Sequence, residues 1–143
     1  MDNKELIKLA IEAREFAYSP YSNWKVGAAL LCKDGTIYKG CNIENSAFTS
    51  TSCAERTAFF KAISEGHMDF EKIAIVGGDA QKGLEGVCTP CGVCRQVMTE
   101  FCDPDNFKII CAKGVDEFDE YSLRDMIPNT NFVQTNQGYG FKK

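Results

Sequence analysis

The sequence predicts an α/β fold, a three-layer α-β-α sandwich around a mixed, mostly five-stranded sheet. Two observations carry that prediction. Between residues 36 and 112 the patterning runs strand, helix, strand, helix, strand, an order that implies right-handed crossovers with helices packed on a sheet. Within it, the runs at 72–76 and 107–112 are short and nearly continuously apolar, as strands covered on both faces are. The 143 residues suit one domain, taken as 1–143 with 129–143 as a C-terminal tail.

The elements follow in order. Leu6, Leu9, Ala10, Ala13, Phe16 and Ala17 recur at three- and four-residue steps, so an amphipathic helix is expected there. Asp2 and Glu5 can cap its start, and Pro20 stops it near Ser19. Strands at 26–32 and 36–43 meet across Lys33-Asp34-Gly35, a hairpin turn by its Asp-Gly pair. Residues 44–52 are small and polar and read as a loop. Ser52 opens a helix to about Glu65, closed by Gly66. After the strand at 72–76, a Gly-rich connection at 77–88 leads to a helix with Thr89 as cap and Pro90 in its first turn, running to about Phe101. The strand at 107–112 precedes a more polar edge strand at 115–121, then a short helix at 122–127 that Pro128 ends.

Composition excludes several function classes. The chain is 44% hydrophobic and 25% charged, and no apolar run approaches the roughly 18 residues of a membrane span. Its start lacks the basic and apolar parts of a signal peptide, so a cytoplasmic protein is expected. A net charge of −4 and a pI near 5.0 argue against nucleic acid as a partner. Eight cysteines in such a protein favour metal binding, catalysis or buried thiols over disulfides.

Spacing turns that preference into chemistry. Cys53-Ala54-Glu55-Arg56 and Thr89-Pro90-Cys91-Gly92-Val93-Cys94 both sit at helix starts that follow strands. Both therefore lie at the carboxyl edge of the sheet, where open α/β sheets bind ligands. Cys53, Cys91 and Cys94 can hold Zn2+ as three thiolates with a fourth position left for water. Cys91 and Cys94, three apart on a helix, share one face. In a first helical turn the backbone N–H groups and the helix dipole favour the thiolate. Glu55 stands close enough to handle that water's protons, the pattern of zinc nucleobase deaminases. Arg56 would offset the negative charge that three thiolates leave around a dication.

Each of these residues has a plainer reading. Glu55 also fits a capping box with Ser52. Cys88, Cys91 and Cys94 spell C-x2-C-x2-C, so a closed four-thiolate zinc or an iron–sulfur cluster competes, although the ferredoxin pattern needs cysteine where Met98 stands. Cys88 precedes the cap and is expected to point away from its neighbours' face. Cys32, Cys41, Cys102 and Cys111 read as small core residues, and His67, the only histidine, as a surface residue. Asn42, Glu44 and Trp24 reach the same rim from the ends of the hairpin strands. Trp24 is equally a core ring or a stacking platform.

Taken together these residues resemble the small, homotetrameric zinc cytidine deaminases of pyrimidine salvage. The resemblance runs from about Leu6 to Pro128. It rests on Ser19-Pro20-Tyr21-Ser22, Val26-Gly27-Ala28-Ala29-Leu30, Gly40-Cys41-Asn42-Ile43-Glu44-Asn45, Cys53-Ala54-Glu55-Arg56 and Pro90-Cys91-Gly92-Val93-Cys94-Arg95-Gln96. It implies a cytidine deaminase-like fold, one Zn2+ per subunit on Cys53, Cys91 and Cys94, Glu55 as proton shuttle, and Arg56 bonded to ligand thiolates. It implies that Asn42 and Glu44 hold the ribose 3′-hydroxyl, with Ala54, Trp24 and Phe132 among the substrate contacts. A carboxylate on a free 3′-hydroxyl leaves no room for a phosphodiester, so the implied partner is a small nucleoside. The implied assembly is a homotetramer whose active sites borrow residues from neighbouring subunits.

Several residues depart from the family's pattern. Trp24 stands where Phe is usual, and Phe48 where Tyr is common. The connection at 77–87 is long, and Phe132 follows one position late in the tail. These changes touch the substrate's surroundings and spare the metal. They leave a modified or antibiotic cytosine nucleoside as the alternative substrate, and a non-catalytic zinc-stapled module as the alternative function.

Overall fold

Strict alternation along the central strands dictates the layers of this protein, whose computed structural model describes residues 1–128. On β1 (Trp24–Cys32), Ala28, Leu30 and Cys32 face one side while Ala29 and Leu31 face the other. On β3 (Phe70–Asp79), Ile73 and Ile75 oppose Ala74 and Val76 in the same way, as do Ile109 and Cys111 against Ile110 and Ala112 on β4 (Lys108–Gly114). Both sides are apolar, so both must be covered.

α1 (Asn3–Arg14) covers one face with Leu6, Ile7 and Ala10. α2 (Ala54–Ser64) covers the other with Ala58, Phe59 and Ala62. α3 (Gly92–Phe101) adds Met98 to that side, and α4 (Leu123–Met126) adds Leu123. With β2 (Ile37–Cys41) and β5 (Glu117–Ser122), the sheet runs β2-β1-β3-β4-β5. The expected three-layer sandwich is what forms.

The register decides what meets at the rim. β1 is antiparallel to both neighbours, with Gly27 opposite Cys41 on β2 and Trp24 opposite Asp79 on β3. β3 and β4 are parallel, from Lys72 opposite Lys108 to Val76 opposite Ala112. The start of β1 therefore lies beside the ends of β2 and β3, and the loops into α2 and α3 open over that edge.

Element ends differ from the sequence expectation where tertiary contacts override local pattern. α1 begins as predicted, with the Asp2 side chain accepting from Glu5 N, but it stops at Arg14 rather than near Ser19. Its last turn tightens through Phe16 N to Ala13 O and Ala17 N to Arg14 O. Phe16, expected on the apolar face, is 80% exposed. The cause is Arg14, a buried cation whose guanidinium donates to the carbonyls of Lys25, Gly78 and Asp79. Those bonds pin the helix end to β1 and β3. β3 is longer than predicted at both ends.

α2 passes over β2 at Gly40, where a Cβ would stand 2.4 Å from Ala54 O and 2.6 Å from Ala58 N. Both obstacles are backbone, so only glycine permits this approach. Gly40→Ala is expected to cost about 3 kcal/mol of stability by forcing α2 outward. Urea denaturation measures it, and an unchanged midpoint would contradict the close packing described.

Candidate metal centre and active site

Two helix starts supply the thiols. Neither begins where the sequence pattern put it. The cap of α2 is Cys53 rather than Ser52, whose hydroxyl instead lies 3.2 Å from Thr57 Oγ1. That removes the capping-box explanation for Glu55. The cap of α3 is Cys91 rather than Thr89, and its Sγ accepts from Cys94 N at 3.4 Å. Cys91 is thus held by one of the orphan N–H groups of the helix it opens. Arg95 braces this turn from behind, donating to Pro90 O and to Met126 O.

Cys53, Cys91 and Cys94 converge. Their sulfurs all lie within 4.8 Å of one another, with Cys53–Cys91 and Cys91–Cys94 both at 3.6 Å. A tetrahedral ion with bonds near 2.3 Å would separate its sulfurs by about 3.8 Å. The three residues therefore fit zinc. Cys88 stands outside this group of three sulfurs. The expectation that it points away needs correcting, because it lines the same cavity as Cys53 and Glu55. Its sulfur and the Trp24 indole nitrogen pack together over Gly77. Cys88→Ser should leave the zinc held by the three thiolates at the wild-type level, measured by elemental analysis. Loss of that zinc would restore the four-cysteine reading.

The charges are arranged around the sulfurs. Arg56 Nη2 donates to Cys53 Sγ at 3.2 Å. A hydrogen bond from Cys94, helped by Arg56 and Cys91, pulls the Cys53 thiol down to about 5. Cys94 moves the other way, because it keeps the proton it donates to Cys53. Burial works against charge on Arg56, but its bonds to Cys53 and Cys94 win and hold it cationic. Its Nε, buried, has no hydrogen-bond partner among the described residues. Glu55 is 4% exposed, and burial pushes its carboxyl up to about 7. A buried carboxyl beside three thiols is a costly arrangement that core packing alone would not produce.

The other predicted residues divide. Asn42 lines the cavity, of about 230 Å³, that holds Glu55 and the thiols. Its Oδ1 accepts from Val26 N, and one of its two amide N–H groups goes to Trp24 O at 2.8 Å. Glu44 stands between that cavity and a neighbouring one of about 370 Å³ lined by Tyr21, Ser22, Phe48 and Thr51. Its carboxylate accepts from Ser22 Oγ and from the N–H groups of Ser22 and Tyr21. Those bonds, led by the Ser22 hydroxyl, hold it below the usual carboxylate range. The sequence motif at 19–22 was visible, but nothing in its pattern showed that it anchors Glu44.

Ala54, fully buried, also lines the inner cavity. Trp24 is 38% exposed, which sets aside its core reading, and it reaches the cavity through Cys88 rather than lining it. Phe48, at φ +57°, holds a left-handed backbone rare for so bulky a residue, with its ring edge-on to Tyr21. Phe132 lies outside the described residues. Of the remaining cysteines, Cys32, Cys102 and Cys111 are core residues as expected, and Cys41 is half-buried. His67 is half-buried rather than on the surface.

Known proteins are similar to this chain in sequence and in fold. Residues 1–111 match the family model described as the cytidine and deoxycytidylate deaminase zinc-binding region. A cytidine deaminase of Sporosarcina psychrophila is 57% identical over 103 residues, 72% of each chain. One of Halalkalibacterium halodurans is 48% identical over 128 residues, covering 90% of this chain and 92% of the relative. The crystal structure of cytidine deaminase from Burkholderia pseudomallei superposes with a TM-score of 0.82 at 41% identity, over 92% of this chain and all of the other.

Proposed function

The chain belongs to the cytidine and deoxycytidylate deaminase zinc-binding family, and from that premise we propose that it hydrolyses free cytidine and 2′-deoxycytidine to uridine and 2′-deoxyuridine with release of ammonia. The observation that carries this reading is the buried Glu55 carboxyl beside three sulfurs spaced for a tetrahedral ion. Cys53, Cys91 and Cys94 would hold the zinc, which when bound would supply the Lewis acidity that lets a water lose its proton near neutral pH. Glu55 takes that proton and delivers it to N3 of the base, which makes C4 a better electrophile. As the water's oxygen bonds to C4, Glu55 moves the second proton to the amine; the C4–N bond breaks, the oxygen stays on C4, and one water is consumed for each ammonia released. A carboxyl that burial pushes up to about 7 suits both accepting and donating.

The remaining residues hold the nucleoside. Asn42 offers its second amide N–H, and Glu44 its remaining lone pairs, to the ribose 3′-hydroxyl. Ala54 lies against the base, and Trp24 completes its surroundings. Arg56 positions Cys53 and balances the charge that three thiolates leave on a dication. The protein acts as one domain, 1–143 with 129–143 as its tail, and assembles as a homotetramer that shares active sites. Exposed Phe16, Phe48, Phe60 and Val93 supply apolar surface for such contacts. It works in the cytoplasm in pyrimidine salvage, and in support no described helix is long and apolar enough to cross a membrane.

A substrate panel tests this. Cytidine and 2′-deoxycytidine should be converted, whereas 3′-O-methylcytidine and a cytosine oligonucleotide should not. Equal turnover of the 3′-blocked compounds would sink the assignment of Asn42 and Glu44. Turnover confined to a modified cytosine nucleoside would shift the substrate while leaving the reaction.

A further inference from the structure

At the far end of β1 from the three thiols, a second set of potential ligands converges. Cys32 closes β1, Asp34 lies in the turn to β2, and His67 follows α2. Sγ of Cys32, a carboxylate oxygen of Asp34 and a ring nitrogen of His67 all lie within 4.8 Å of one another. His67 Nδ1 is 3.4 Å from Asp34 Oδ2. The run of β1 from Val26, which lines the thiol cavity, to Cys32 keeps this group roughly 20 Å from that rim, at about 3.3 Å per residue.

Backbone chemistry fixes each carrier. Asp34 Oδ1 accepts from Thr36 N at 2.9 Å, an Asx turn that leaves Oδ2 for His67. α2 ends in a Schellman motif, with Gly66 at φ +93°, Gly66 N bonded to Ile63 O and His67 N bonded to Ala62 O, both at 3.0 Å. Lys33 N donates to Asp69 O at 2.9 Å, which ties the segment after His67 to the hairpin turn. The imidazole rests edge-on against Tyr38, with ring centroids 5.3 Å apart. The Cys32 residue is 1% exposed, so its sulfur faces the protein and this group rather than solvent.

We propose that Cys32, Asp34 and His67 form a second metal site, taking one divalent transition-metal ion of the Zn2+ class independently of the three-thiolate centre. One thiolate, one imidazole and one carboxylate suit zinc, whereas Mg2+ and Ca2+ call for oxygen ligands alone. A water completes the tetrahedron. Zinc bonds of about 2.0–2.3 Å would draw the three ligand atoms to about 3.5 Å from one another, so binding contracts the group. The ion would fasten the C-terminal end of α2 to the β1–β2 turn, at the opposite end of the helix from Cys53 and Glu55. Because the site needs the folded turn and the folded helix end together, its occupancy stabilises the native state.

The test uses protein already loaded at the three-thiolate centre, dialysed against added Zn2+ and then counted for metal per chain. Wild type should take up a second equivalent with a rise in Tm, whereas His67→Ala and Asp34→Asn should take up neither the metal nor the Tm gain. Both variants replace partly exposed side chains, so they are expected to fold. Co2+ added in place of the extra Zn2+ should give thiolate-to-cobalt charge-transfer absorption that Cys32→Ser lacks. A wild type saturated at one equivalent overturns the proposal. So does a second equivalent that persists in His67→Ala, which would put the ion elsewhere.

Discussion

Glu55→Gln is expected to lower kcat by roughly 10²- to 10⁴-fold, the contribution usual for a positioned acid/base group, while zinc content stays at the wild-type level. Gln is close to isosteric with Glu and fits a position that is 4% exposed. The amide cannot accept the water's proton, so neither N3 nor the departing amine receives one. Folding should not suffer, because the substitution removes a carboxyl whose burial already disfavours its charge. KM should change little, since no binding contact to the ribose is lost. A variant that keeps full kcat would remove Glu55 from the reaction. One that loses zinc would make it a ligand or a structural support instead.

Cys53→Ala is expected to have a larger effect still. It deletes one of three sulfurs, and two thiolates do not hold zinc with an open position in competition with water and buffer. It also leaves the Arg56 guanidinium, part-buried against Cys53 Sγ, facing a methyl group. Zinc should fall to background, activity should drop below that of Glu55→Gln, and Tm should fall because the ion bridges the starts of α2 and α3. Elemental analysis, a uridine assay and thermal denaturation read the three effects. Retained zinc with retained activity would mean that Cys53 is not a ligand. Cys88→Ser is the matched control, a thiol in the same cavity outside the group of three sulfurs.

The fold was legible because two-sided burial leaves a simple trace. The apolar runs at 72–76 and 107–112 carry the alternation that the two core clusters resolve into faces. Helix ends were less legible. Nothing in the local pattern near Arg14 reveals that its guanidinium will cap carbonyls of β1 and β3 and end α1 there. Likewise the sulfur of Cys91 can cap a helix as a hydroxyl does, so Thr89 and Pro90 misplaced the start of α3. The convergence of Cys53, Cys91 and Cys94 did not depend on those ends, because it follows from which strand ends the loops leave, not from the first helical residue. The anchoring of Glu44 by Ser22 was not legible, since the two are brought together by the bridge of Tyr18 to Ile43. The grouping of Cys32 and Asp34 with His67 was invisible for the same reason. His67 is more than thirty positions from its partners, and only the return of α2 across β1 and β2 joins them.

The most direct measurement is ultraviolet-monitored turnover of cytidine by the purified, zinc-loaded protein, with ammonia counted in parallel. Cytidine should become uridine, one ammonia should appear for each uridine, and removal of zinc by a chelator should abolish both. Folded, zinc-loaded protein that leaves cytidine unchanged would contradict the central claim. The buried Glu55 and its three thiols would then serve another substrate.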